Sequence, residues 1–206
     1  MQNKIVMNLD GKKVFFYCDN DKNIINTFCL TIKGQETENH IVEDGKSIFI
    51  GWGYYVFKEI DDEYQILAAD YTKDPSRDLT EDLTLSLNIL KDHLEISRRT
   101  GLSSDELITF QDTFVAKKIA LSSDAVYLEK QQAVENGDSG WYMGDANDVE
   151  QSDDPDDYIT LPLYKLLSYC PKAVSVLSLP VGTIAIIKDG EITNICDEDN
   201  NEVYAK

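Results

Sequence analysis

Two histidines, four cysteines and one dense run of carboxylates are the side chains here with the most chemical potential. His93 falls between Leu90 and Leu94 in a stretch of helical apolar spacing, which marks it as structural or exposed rather than as a base. His40 sits in a polar, turn-rich segment. Neither has the sequence neighbours of an acyl-transfer or metal-ligating pattern, and spacing alone does not define a triad. Cys18, Cys29, Cys170 and Cys196 include no close pair, so they fit neither a zinc site nor a dithiol. Reduced, mostly buried thiols are the expectation. The chain is therefore read as non-enzymatic, with no catalytic residue, cofactor or metal ligand assigned.

The carboxylate run is Glu135–Asp157, ENGDSGWYMGDANDVEQSDDPDD, with nine acids and no Lys or Arg. An EF-hand register starting at Asp145 puts Asn147 at position three, but Val149 then replaces an oxygen ligand and Glu150 the required glycine. That register fails, so the run is read as a solvated acidic loop, with a weak nonspecific cation site as the alternative. Glycoside hydrolysis needs two carboxyls in environments that split their pKa values, and adjacent acids in a solvated loop lack the apolar pocket for that. Gly51-Trp52-Gly53 lacks the third glycine and the following helix of a phosphate cradle.

The formal charge is −19 over 206 residues. Residues 1–123 hold 21 acids and 14 bases, net −7; residues 124–206 hold 17 acids and 5 bases, net −12. Such a field repels nucleic acid and anionic membranes and steers cationic partners. The same charge also serves plain solubility. The N-terminal MQNKIVMNLDGKK has no continuous apolar core, and no apolar run approaches 18 residues, so a soluble, cytoplasmic protein is expected.

The positioning elements read as α+β, mainly antiparallel sheets with a few helices, in two packed units. Ile5–Leu9 and Val14–Tyr17 flank the Asp10-Gly11 hairpin turn. Asn26–Lys33 reads as a third strand and Gln35–Lys46 as polar turns. Ser47–Ile60 and Tyr64–Ala69 read as strands, with a bulge or close backbone approach at Gly51 and Gly53. The clearest helix is capped by Asp78 and Glu81 and carries Leu83, Leu87, Leu90, Leu94 and Ile96 on one face, ending at Gly101. Thr113–Leu121, Ala125–Lys130 and Trp141–Gly144 read as strands. Thr160 is expected to cap a helix through Tyr169, with one further turn over Lys172–Leu177. Thr183–Lys188 and Glu191–Cys196 form a hairpin about Asp189-Gly190, and the tail from Asp197 should fray. The predicted organisation is an N-terminal unit over 1–105 and a second domain over 112–206.

Asp138-Ser139-Gly140 suits a tight turn, after which Trp141 and Tyr142 alternate sides of a strand. Two readings of Trp141 stand: core anchor or ligand platform. The candidate partner-binding residues are Asp138, Trp141, Tyr142, Asp145, Asp148, Asp153, Asp154, Asp156 and Asp157, aromatics beside a charged rim.

The segment from about Thr113 to Asn194 resembles bacterial immunity proteins of polymorphic toxin systems, long catalogued as a domain of unknown function. The matching pieces are Tyr127-Leu128-Glu129-Lys130, Asp138 to Asp145, Tyr164 through Pro171 and Leu179-Pro180-Val181-Gly182. The family pattern has an Arg near Glu129 or Lys130 with an acid beside it; this chain has Glu-Lys, so no Arg role carries over. Ile50-Gly51-Trp52 and Asp70–Pro75 resemble N-terminal extensions of longer relatives. The resemblance implies a non-enzymatic protein that binds and neutralises a cognate toxin; the acidic charge, independently, suits a cationic one. The alternative from the residues is a small-ligand or peptide-binding housekeeping module, with or without enzymatic activity, whose site lies between the units near Trp52, Tyr54 or Trp141.

Overall fold

The computed structural model describes residues 2–148 and 152–205. Val149, Glu150 and Gln151 of the acidic run lie outside the described residues. The chain divides into two compact units, residues 1–91 and 92–206. Both are α+β.

In the first unit β1 (Asn3–Leu9) and β2 (Lys12–Cys18) form the expected hairpin, with Asp10 and Gly11 at φ 49° and 79°. The chain then enters α1 (Lys22–Asn39), where a strand and a polar turn region were expected. Thr27, Phe28, Thr31 and Ile32 favour extended structure locally. The four-residue step Ile24, Phe28, Ile32, Glu36, all buried, overrides that preference. The Asp21 carboxylate caps the helix by accepting from the Asn23 and Ile24 amides. A sheet in the order β1, β2, β5 (Glu63–Ala69), β4 (Gly53–Ile60), β3 (Ser47–Ile50) follows, with β6 (Leu79–Thr80) on β5. Its one parallel pair is β2 with β5. Gly51-Trp52 forms the turn between β3 and β4, and a Cβ on Gly53 would stand 2.7 Å from the Tyr71 hydroxyl. Phe28 packs edge-on to Phe16 at 5.3 Å and against Tyr55 at 4.8 Å, in the core with Phe57, Ile66 and Leu87.

The strong helix, α2, runs over Thr84–Thr100, so the division between units falls inside it. It starts later than the Asp78 cap, because Leu79 and Thr80 pair with Ala69 and Ala68 and are extended. Asp82 instead accepts from the Thr84 amide, at 2.9 Å. Leu94 is 49% exposed; His93 and Ile96 are the buried residues of that turn. Gly101 closes the helix at φ 73°.

The second unit is a seven-stranded sheet in the order β10 (Tyr158–Pro162), β7 (Thr113–Lys117), β9 (Asp138–Asp145), β8 (Ala125–Lys130), β11 (Ile184–Lys188), β12 (Glu191–Cys196), β13 (Glu202–Ala205). All pairs are antiparallel except β7 with β9. A 3-10 turn over Lys118–Ser122 shortens the strand expected to reach Leu121. The helix expected from Thr160 begins only after Pro162. Tyr158–Pro162 is an edge strand on β7, and Pro at its end costs no ladder donor. Only Leu166–Tyr169 is α-helical, followed by 3-10 structure over Pro171–Val176. The tail does not fray: Glu202–Ala205 pairs with β12. Phe114, Leu128, Trp141, Met143, Leu166, Val174, Ala185 and Ile195 fill the core beneath one face. All four cysteines are free, Cys18 buried and the others half-buried. No helix among the described residues is long and apolar enough to cross a membrane.

Candidate functional site

Alternation along five neighbouring strands of the second unit sends one set of side chains inward and the other to the open face. On β7, Phe114 and Ala116 are buried while Val115 is 37% exposed. On β8, Val126, Leu128 and Lys130 are buried while Tyr127 and Glu129 are half-buried. The register then sets Ile186 beside Tyr127, Glu129 beside Tyr142, Tyr142 beside Val115, and Tyr158 beside Lys117. The result is a tyrosine row across the open face. Tyr127 and Tyr142 have ring centroids 5.8 Å apart, and Tyr142 and Tyr158 6.4 Å. Ile186, 36% exposed, extends the row at one end.

Gly144 makes the row possible. A Cβ there would lie 2.4 Å from atoms of the Tyr127 ring, which therefore lies flat over the glycine. Desolvation first, and the neighbouring Tyr127 second, push the Tyr142 phenol well above its ordinary pKa, so it stays a neutral donor. At the rim, Lys117 Nζ meets Asp148 Oδ2 at 2.5 Å, which raises the lysine pKa through that bond. Lys118 Nζ donates to the Asp156 carbonyl.

The Asp-Ser-Gly-Trp unit supports this face from within. Between β7 and β9 the register moves from Thr113–Asp138 to Val115–Tyr142, so Ser139, Gly140 and Trp141 bulge against Phe114 alone. Asp138 accepts from the Gly140 amide at 2.8 Å and the Val134 amide at 3.0 Å. Buried Ser139 donates to the Thr113 carbonyl at 2.6 Å and accepts from the Trp141 amide. Gly140 has φ 68°, and a Cβ on it would meet the Gln131 carbonyl at 2.1 Å. Trp141 is 1% exposed and its Nε1 donates to the Leu177 carbonyl at 3.3 Å. Of its two readings, the structure places it as core anchor; as a ligand platform it has no exposed surface.

The nine candidate residues thus separate. Tyr142 lies on the open face. Asp138 and Trp141 hold the bulge, and Asp145, 9% exposed, accepts from the Asn147 amide in the turn after β9. Asp148 is paired at the rim. Asp153, Asp154, Asp156 and Asp157 are exposed on the approach to β10, where Asp154 caps a short 3-10 turn and Asp157 accepts from the Ser152 hydroxyl. Sequence reasoning missed Tyr127, Tyr158 and Val115. The alternation of AVYLEK carried the signal for Tyr127, whereas Tyr158 lies just before the helix expected from Thr160, where no strand was expected. His93 is buried, and its Nε2 lies 2.7 Å from the Val174 carbonyl.

Every residue of the face and of the bulge lies within residues 93–198, which the family model of the Imm33-like domain matches, just over half of the chain. The chain belongs to the Imm33-like family. No curated protein and no solved structure matches it. The Imm33-like domain therefore comprises the end of α2, the seven-stranded sheet up to β12, and the helical segment that covers its inner face. The family name agrees in general with the immunity-protein resemblance; of the pieces quoted for it, Tyr127–Lys130 and Asp138–Asp145 lie in the sheet of this domain. Both segments contribute to the tyrosine row.

Proposed function

We propose that the Imm33-like domain is a non-enzymatic immunity module that binds and neutralises a cognate toxin protein through its tyrosine face. The observation that carries this reading is the row Tyr127–Tyr142–Tyr158, half-buried rings on a sheet face flanked by exposed Val115 and Ile186. Rigid aromatics supply contact area at little entropic cost and can donate from their hydroxyls, the properties of an interface centre. The exposed carboxylates Asp153, Asp154, Asp156 and Asp157 form a rim that attracts a cationic partner from a distance. A toxin that grips phosphate backbones presents a matching basic surface.

The test is co-expression with a candidate toxin cloned from the surrounding gene neighbourhood. The wild-type chain should restore growth, and the Tyr127→Ala/Tyr142→Ala pair should lose protection while keeping a cooperative unfolding transition. Full protection by that folded double variant, or none by the wild type, removes the reading.

A further inference from the structure

The N-terminal unit carries a second, unrelated constellation. Asp10 in the β1–β2 turn, Glu36 in the last turn of α1 and His40 at its C-cap each offer one ligand atom, all within 4.8 Å of one another. The three line one cavity of about 240 Å³. We infer that Asp10, Glu36 and His40 form a binding site for a divalent first-row metal ion of the zinc type.

Three observations converge on a cation there. Glu36 is 3% exposed, and only its Oε2 has a bond, from the Val42 amide at 2.8 Å; Oε1 has no partner among the described residues. Asp10 and the His40 ring likewise have no hydrogen bond or ion pair among the described residues, and Lys33, which lines the cavity, pairs with none of the three. Two carboxylates this close, one of them buried, repel each other unless a positive charge lies between them. The C-terminal end of the 18-residue helix lies at the same place, but Lys46 Nζ donates to the Asn39 and His40 carbonyls there, at 3.3 and 3.0 Å, and offsets its negative pole, so the helix end adds no pull on a cation.

The donor set selects the ion. One imidazole nitrogen with two carboxylate oxygens suits zinc and its first-row neighbours; calcium and magnesium prefer oxygen alone. Zinc bonds of about 2.0–2.1 Å put tetrahedral ligand atoms about 3.3 Å apart. Asp10 and His40 are exposed, so rotation of their side chains closes the cluster from 4.8 Å while Glu36 stays fixed by Val42. Three protein ligands leave a coordination position open to solvent or to a donor from another molecule.

The test is a calorimetric titration of the full chain with zinc sulfate, read in parallel by the ring signals of its two histidines. One equivalent of zinc should shift the His40 ring and leave His93 in place as an internal control. Magnesium chloride should do neither. Asp10→Asn and His40→Asn both suit positive φ and stay exposed, so each should fold and lower zinc affinity about tenfold or more. The assignment is overturned if zinc at about 1 mM leaves the His40 ring unmoved. It is equally overturned if both folded variants bind zinc as tightly as the wild type, because the ion then sits elsewhere on an acidic surface.

Discussion

Lys130 Nζ lies 2.9 Å from Glu106 Oε2, with the lysine side chain 1% exposed and the glutamate 42% exposed. The ammonium also donates to the Ser139 carbonyl at 2.5 Å, tying the Asp-Ser-Gly-Trp bulge to the segment after α2. The pair is asymmetric. Glu106→Gln leaves a buried ammonium without its counter-charge, whereas Lys130→Met leaves a carboxylate that water can reach. Glu106→Gln should cost about 1–2 kcal/mol after allowance for the exposure of Glu106, and Lys130→Met less. Urea midpoints of the two variants check the order.

His93 should make the protein acid-sensitive above the carboxylate range. Burial lowers its pKa from 6.5, against the bond to the Val174 carbonyl, which raises it. A folded pKa below the unfolded one means that the unfolded chain binds the proton first. Stability is therefore full above about pH 6.5 and falls as pH drops toward the folded value. The urea midpoint of the wild type should decline between pH 7 and pH 5.5, and His93→Asn should flatten that part of the profile.

Gly144→Ala separates fold from face. Its new Cβ strikes the Tyr127 ring, which can swing aside into solvent, so stability should change by about 1 kcal/mol or less while the tyrosine row breaks. Gly140→Ala meets backbone at 2.1 Å with φ 68° and should cost about 3 kcal/mol or more. Thermal melts distinguish the two, and toxin protection should fail in Gly144→Ala at a temperature where the domain is folded.

Trp141→Ala should behave as a core truncation, losing about 3–5 kcal/mol. Affinity for a toxin, measured on the folded fraction, should stay unchanged, since the indole does not reach the surface. A specific loss of affinity in the fully folded variant contradicts the inward placement.

Neutralising the rim as Asp153→Asn, Asp154→Asn, Asp156→Asn and Asp157→Asn should slow association with a cationic toxin about tenfold at low salt. Dissociation should be nearly unaffected. Stopped-flow rates at two ionic strengths read both, and an unchanged salt dependence removes the steering role.

Much of the architecture was legible where local and global preferences agree. The turns at Asp10-Gly11 and Asp189-Gly190 force positive φ and fixed both hairpins, and the Leu83–Leu87 spacing marked α2. The failures have different causes. Thr27 and Thr31 suggested a strand, but as helix residues their hydroxyls bond back to the carbonyls of Asn23 and Thr27. Thr160 looked like a cap, yet the open edge of β7 recruits its neighbours into a strand. The first case turned on the apolar step Ile24, Phe28, Ile32, which a local window does contain. Long-range pairing decided the second, and a local window does not contain it. The candidate site was half visible for the same reason. The Asp138–Tyr142 motif stood out, but Tyr127 and Tyr158 join Tyr142 only through pairings across the sheet.

The placement of β7 has a consequence for synthesis. Both of its sheet neighbours, β9 and β10, come later in the chain, and β10 is complete only at Pro162. At ribosomal speeds the Phe114 and Ala116 side of this strand waits on the order of seconds for its partners. During that interval the emerging chain offers an unpaired strand with an apolar side, a ready substrate for a holding chaperone.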